Sequence, residues 1–121
     1  MPREELRSEM QAGVKFFCIR RDSRVVGVMG LQHVADVALI RHAYTLTSEQ
    51  HSGVGTRLLE HLKSQTDRPM LVGTWKAATW AVRFYERRGF RLVTEEDKPR
   101  LLRRYWRIAE RQIEESVVLR E

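Results

Sequence analysis

Two periodicities divide the chain. From residue 14 to 46, β-branched and aromatic residues cluster in short runs, Val14 to Arg20, Val25 to Leu31 and Val37 to Leu46, which predicts three strands. Asp22-Ser23 and Val34-Ala35-Asp36 have the residues of tight connections, so the three strands form an antiparallel meander. Gly27 and Gly30, inside the second strand, predict a bulge or a close neighbour. Ahead of the meander, Pro2 to Ala12 predicts a short helix. Proline suits its first turn, Glu4 and Glu5 favour its positive end, and Gly13 stops it.

Beyond residue 50 the spacing becomes helical. Val54, Leu58 and Leu62 share one face, and Thr56 to Ser64 is a helix. Met70 to Trp75 reads as a buried strand, Ala77 to Arg88 as a helix closed by Gly89, and Phe90 to Thr94 as a strand. A strand–helix–strand succession implies a right-handed parallel crossover. Asp97 to Arg107, with Pro99 in its first turn, predicts another short helix, and Ile113 to Leu119 a final strand. The fold class expected is α/β in the mixed sense: a meander followed by a parallel β-α-β unit, in one domain spanning residues 1–121.

Composition narrows the function classes. With 42% hydrophobic and 31% charged residues, the 121-residue chain has the balance of a globular protein with a modest core. No apolar run approaches the roughly 20 residues that span a membrane, and Met1-Pro2-Arg3-Glu4-Glu5 is too polar for a signal peptide. Cys18 is the sole cysteine, which excludes an internal disulfide and fits a reducing cytoplasm. Its place in an apolar run predicts a small buried hydrophobe. The net charge of +6 attracts polyanions, and it does not separate a coenzyme from a nucleic acid.

The stretch most telling of chemistry is Gln50-His51-Ser52-Gly53-Val54-Gly55-Thr56-Arg57. Two glycines let the backbone turn tightly and approach a ligand, and a helix N-terminus follows directly. Such an end carries partial positive charge and suits a pyrophosphate. Neither the P-loop pattern nor the three-glycine dinucleotide fingerprint is present. A ligand-free strand-to-helix turn would contain the same glycines.

Residues Gln50 to Leu59 fit the Q/R-x-x-G-x-G/A signature of the GNAT family of acetyl-CoA-dependent N-acetyltransferases. Ala81-Val82-Arg83-Phe84-Tyr85-Glu86-Arg87-Arg88-Gly89-Phe90 resembles that family's A-x-x-F-Y-x-x-x-G-F motif. The two motifs stand in the family's order, with the strand Met70 to Trp75 between them, and the resemblance covers roughly residues 14 to 120. It implies an acyl-CoA N-acyltransferase fold and acetyl transfer from acetyl-CoA to an amine, on a small molecule or a protein, with no metal. The family pattern begins with a strand and a helix that have no counterpart here. Their absence would leave the strand Val14 to Arg20 as an uncovered edge, which predicts a homodimer.

The resemblance assigns roles residue by residue. Ala43, Tyr44 and Thr45 align with the segment whose backbone pairs with the pantetheine arm, where two strands splay. Gln50, His51, Ser52, Gly53, Val54, Gly55 and Thr56 align with the pyrophosphate turn, where backbone N–H groups make the contacts. Tyr85 aligns with the tyrosine that protonates the leaving thiolate in many relatives, and equally it packs beside Phe84. Leu39 stands where some relatives carry a glutamate base, so that base is missing. His42 is the nearest titratable substitute, an imidazole being able to trade protons near neutral pH; a structural histidine or a water relay are the other readings. His33 and Asp36 are more distant candidates. Ala78 replaces the asparagine that precedes the second motif in many relatives, and Trp75 and Trp80 either wall the acceptor pocket or serve as packing.

Two other classes are compatible with parts of the sequence. The arginines from Arg87 to Arg111, interleaved with Tyr105 and Trp106, have the residue types of a nucleic-acid surface. Interspersed carboxylates such as Glu95, Asp97 and Glu114 dilute that field, which favours a solvated helix with inward aromatics. A chain with the family fold and no early strand could also bind acetyl-CoA without turning it over.

Overall fold

The computed structural model describes residues 3–46, 49, 52–106 and 110–121. The chain forms two compact units, residues 1–68 and 69–121, and six strands among the described residues accompany the helices. This is the mixed α/β class that the sequence predicts.

The first unit holds α1 (Arg3–Gln11), β1 (Val14–Arg21), β2 (Arg24–Val34), β3 (Val37–Thr45) and α2 (Val54–Ser64). β1 pairs with β2 and β2 with β3, both antiparallel, which is the expected meander. Its turns are two residues long. Asp22 and Ser23 carry φ of 51° and 67°, so both central residues are left-handed, the handedness that matches strand twist. Gly13, at φ 96°, turns the chain from α1 into β1.

Both glycines of β2 have the predicted consequence. A Cβ on Gly27 would overlap Val54 Cγ1 and meet Leu58 Cδ1, both on α2, so the helix lies directly on the strand backbone there. A Cβ on Gly30 would come within 2.8 Å of the Arg41 carbonyl oxygen and 2.9 Å of Val14 Cγ1. Beside Gly30 the β2–β3 register slips: Val28 faces Tyr44 while Gly30 faces Arg41. Met29 therefore opposes two residues, His42 and Ala43, and the extra residue sits on β3.

The apolar face of α2, Val54, Leu58, Leu59 and Leu62, is buried, as are Val26, Met29 and Leu31 of β2 and Leu39 of β3. Cys18 corrects the sequence reading: it is exposed. It lies on a strand paired on one side only in this unit, opposite the half-buried Val28.

The second unit holds β4 (Met70–Trp75), α3 (Thr79–Glu86), β5 (Arg91–Leu92), α4 (Lys98–Leu101), α5 (Glu110–Glu115) and β6 (Ser116–Arg120). α4 continues as a π-helical turn, Leu102–Trp106. β6 runs antiparallel to both β4 and β5, so β4 and β5 share a direction, as a β-α-β crossover requires. The crossover skips a place, because β6 lies between them. Ile113 belongs to α5 and not to the last strand. Its neighbours Arg111, Gln112, Glu114 and Glu115 are helix formers, and only Ser116 onward carries β-branched residues. The core of this unit is Met70, Leu71, Val72, Phe90, Leu102, Val118 and Leu119.

Candidate functional site

α2 begins at Gly53, whose φ of 86° is the left-handed conformation that glycine adopts without strain. The added methyl of an alanine there would meet nothing within 4 Å, so space above the turn is open. No side chain caps the helix, its first turn carries no carboxylate, and Arg57 N–H donates to the Gly53 carbonyl at 3.0 Å. An uncapped N-terminus with its positive end facing open space is chemistry suited to an anion.

The neighbouring carboxylate, Glu49, is matched by Arg21 of β1. The Ser52 hydroxyl and backbone N–H both donate to the Glu49 carbonyl, at 2.7 and 3.2 Å, so this residue closes the turn locally. Val54 is fully buried and Gly55 and Thr56 partly so. The other two residues of the expected turn, Gln50 and His51, lie outside the described residues.

On β3, Thr45 pairs with Gly27 and Tyr44 with Val28, beyond the bulge. Tyr44 is 59% exposed, so this end of the strand offers an aromatic surface. Within the bulge His42 has φ 54°, a left-handed conformation that strand residues rarely hold. Its Nε2 lies 3.3 Å from Glu9 Oε2 of α1, and its ring stands 5.9 Å from Phe16. The same Glu9 oxygen is 3.8 Å from Arg41, which donates to Gln32 Oε1 at 2.9 Å. Gln32 in turn donates to the Ala12 carbonyl at the end of α1.

Glu9 did not stand out in the sequence. Its role comes from α1 packing across the meander, and no local motif encodes that. Leu39, fully buried, is core. His33 bonds Thr66 at 2.9 Å, at the far end of the β2–β3 pair from the bulge.

In the second unit Tyr85 is buried, its ring edge-on to Phe84 at 5.1 Å and tilted against Phe90 at 5.4 Å. Its backbone carbonyl accepts from Arg88 and Phe90 N–H, the closing turn of α3 that Gly89 at φ 93° makes possible. Burial pushes the phenol up to about 12. No polar side-chain atom among the described residues is both buried and unpartnered. The packed ring of Tyr85 therefore does not seal its hydroxyl away unpaired.

Trp75 and Trp80 are 52% and 70% exposed, so neither is core. Tyr105, by contrast, is buried, and Trp106 lies on the backbone of β4, with a Cβ on Gly73 meeting its indole at 3.3 Å. The aromatics among the C-terminal arginines thus face inward. Arg88 stacks 3.9 Å over Phe84, and Arg100 faces Asp97; Arg107 lies outside the described residues. Among the described residues no three His, Cys, Asp or Glu side chains gather as metal ligands, and no helix is long and apolar enough to cross a membrane.

The fold is found in solved acetyltransferases. The ribosomal-protein-S18-alanine N-acetyltransferase of Escherichia coli superimposes with a TM-score of 0.71 at 16% identity, over 99% of this chain and 76% of that one. The PaiA N-acetyltransferase of Thermoplasma acidophilum, in complex with coenzyme A, gives 0.68 at 16% identity over 98% of this chain and 66% of that one. A GNAT acetyltransferase of Elizabethkingia anophelis with acetyl-CoA bound gives 0.70 at 17% identity, over 98% and 81%. At such identities the likeness is one of fold. No curated protein sequence matches the chain. The family model described as an acetyltransferase (GNAT) domain matches residues 1–102, most of the chain. On that match, and with its two motifs set on the elements just described, the chain belongs to the GNAT acetyltransferase family.

Proposed function

We propose that residues 1–121 act as one domain that moves an acetyl group from acetyl-CoA to a primary amine, by direct attack through a tetrahedral intermediate. The observation that carries this reading is the start of α2: Gly53 at φ 86°, no side-chain cap, no carboxylate in the first turn, and open space above. In this reading the pyrophosphate rests on the turn from Gln50 to Thr56, and the backbone of Ala43, Tyr44 and Thr45 pairs with the pantetheine amides.

The chemistry needs a base, a hold on the leaving sulfur and a neutral amine. The amine nitrogen attacks the thioester carbonyl, the C–S bond breaks, and the amine proton passes to His42. A thiol titrates near about 8.5, so a phenol near 12 would give up its proton to the thiolate at a cost of roughly 5 kcal/mol. Tyr85 therefore serves best by donating a hydrogen bond to the developing thiolate while keeping its proton. The acceptor is an amine on a small molecule or a protein. The exposed indoles of Trp75 and Trp80 support an acceptor with apolar or cationic character. A homodimer formed over the β1 edge and a cytoplasmic setting complete the reading, the latter suited to the single free thiol of Cys18.

Calorimetric titration with acetyl-CoA, beside Gly53→Glu, tests the reading. Micromolar binding that the variant loses, followed by thiol release when an amine panel is added, supports it. Binding without thiol release from any amine would reduce the chain to a coenzyme-binding domain. Absence of binding by the native chain would refute the proposal.

A further inference from the structure

A non-glycine residue held left-handed inside a strand needs surroundings that over-determine it, and such residues gather where function requires a fixed geometry. His42 is held in this way. The bulge supplies the backbone, Phe16 flanks the ring, and Glu9 reaches across from α1 to Nε2. The carboxylate is itself fixed. Arg41 approaches the same oxygen, Gln32 holds Arg41, and the carbonyl of Ala12 holds Gln32, so the contacts close a loop from α1 through β3 and β2 back to α1. About a quarter of the side-chain surface of Glu9 and Arg41, and 29% of that of His42, stays exposed. The network is thus ordered and still within reach of a ligand.

We infer that Glu9 is a positioning residue for His42. A carboxylate 3.3 Å from Nε2 favours a proton on that nitrogen, which selects the Nε2–H tautomer of the neutral ring. The lone pair then stands on Nδ1, and this is the atom that takes the amine proton. A carboxylate behind an imidazole, holding its tautomer and steadying the charge it gains, is a recurring arrangement where histidine acts as a base. The groups facing the ring are Glu9 from α1, Arg41 on its own strand and the uncharged Phe16 from β1, so one carboxylate and one guanidinium set its field. The inference rests on His42 being the base.

Two readouts separate the claims. Long-range proton–nitrogen correlation spectra of the full chain report the His42 tautomer without any substrate. Hydrolysis of acetyl-CoA by water asks the same base for the same service when the amine is unknown. The native protein should show Nε2–H. Glu9→Ala should lose that preference and hydrolyse acetyl-CoA at least roughly 10-fold more slowly, with its calorimetric Kd unchanged within about twofold. Glu9→Gln, which keeps an acceptor oxygen and guards against loss of α1 packing, should retain the tautomer. An unchanged tautomer in Glu9→Ala would overturn the positioning role. Full hydrolysis by His42→Ala would instead overturn the base role, even if the tautomer still responds to Glu9.

Discussion

At the scale of single residues, Tyr85 carries the sharpest consequences. Tyr85→Phe keeps the packing against Phe84 and Phe90 and removes only the hydroxyl. Steady-state assays of thiol release should show kcat reduced roughly 100-fold, the usual effect of losing one donor to a developing negative charge. The same residue links stability to alkaline pH. Its folded value, about 12, lies above the unfolded value of 10, so the folded chain holds this proton more tightly. The stabilisation is complete below pH 10 and is lost as pH rises through 12, about 3 kcal/mol in all. Urea unfolding at pH 9 and pH 11 should reveal a steeper fall for the native chain than for Tyr85→Phe. Ser23 is strained in another sense, being left-handed at φ 67° in a hairpin turn where glycine is preferred. Ser23→Gly should raise stability by roughly 0.5–1 kcal/mol, visible as a higher melting temperature.

At the scale of elements, the contact between β2 and α2 sets where the anion-binding turn sits. Gly27→Ala would press a methyl into Val54 and Leu58, the first two turns of the helix. The expected cost is about 1–3 kcal/mol of stability, and acetyl-CoA affinity should fall with it as the start of α2 moves. An unchanged Kd in calorimetry would show that the turn is placed by something else. The same contact shows what sequence makes legible. Gly27 and Gly30 pointed to a close neighbour and a bulge, because an apolar strand forgoes a side chain chiefly where another group must come near. The meander, α2 and the strand at Met70 were readable from period alone. The strand expected at Phe90 to Thr94 is present as the two residues of β5, and two features were not readable: α5, whose lone Ile113 among charged residues gives no clear face, and the side of the bulge, which fell on His42 and Ala43 of β3, across from Met29. The Glu9–His42 pair is set by how α1 lies on the sheet, and that is decided by packing over many residues.

At the scale of the whole molecule, a net charge of +6 should aid capture of a polyanionic coenzyme. Acetyl-CoA affinity should therefore weaken several-fold between about 0.05 and 0.3 M salt, more than screening of one local pair would give. The β1 edge bears on assembly. Sedimentation should find a dimer that Ile19→Lys disrupts, and a native monomer would refute the association proposed over that strand.

Length is constrained in a different way from composition. The β3 bulge and the π-helical turn each hold one residue more than a regular strand or helix would need, and they lie at His42 and just before Trp106. Deleting the extra residue at the bulge would restore a regular strand in which Tyr44 and Thr45 keep Val28 and Gly27 as partners and stay on their faces. Deleting Arg103 would close the π turn to an α turn and leave the residues after it in phase with the helix before it. Anywhere else in these two elements the loss of one residue turns every later side chain to a new face, so single-residue deletions should be tolerated best at these two places.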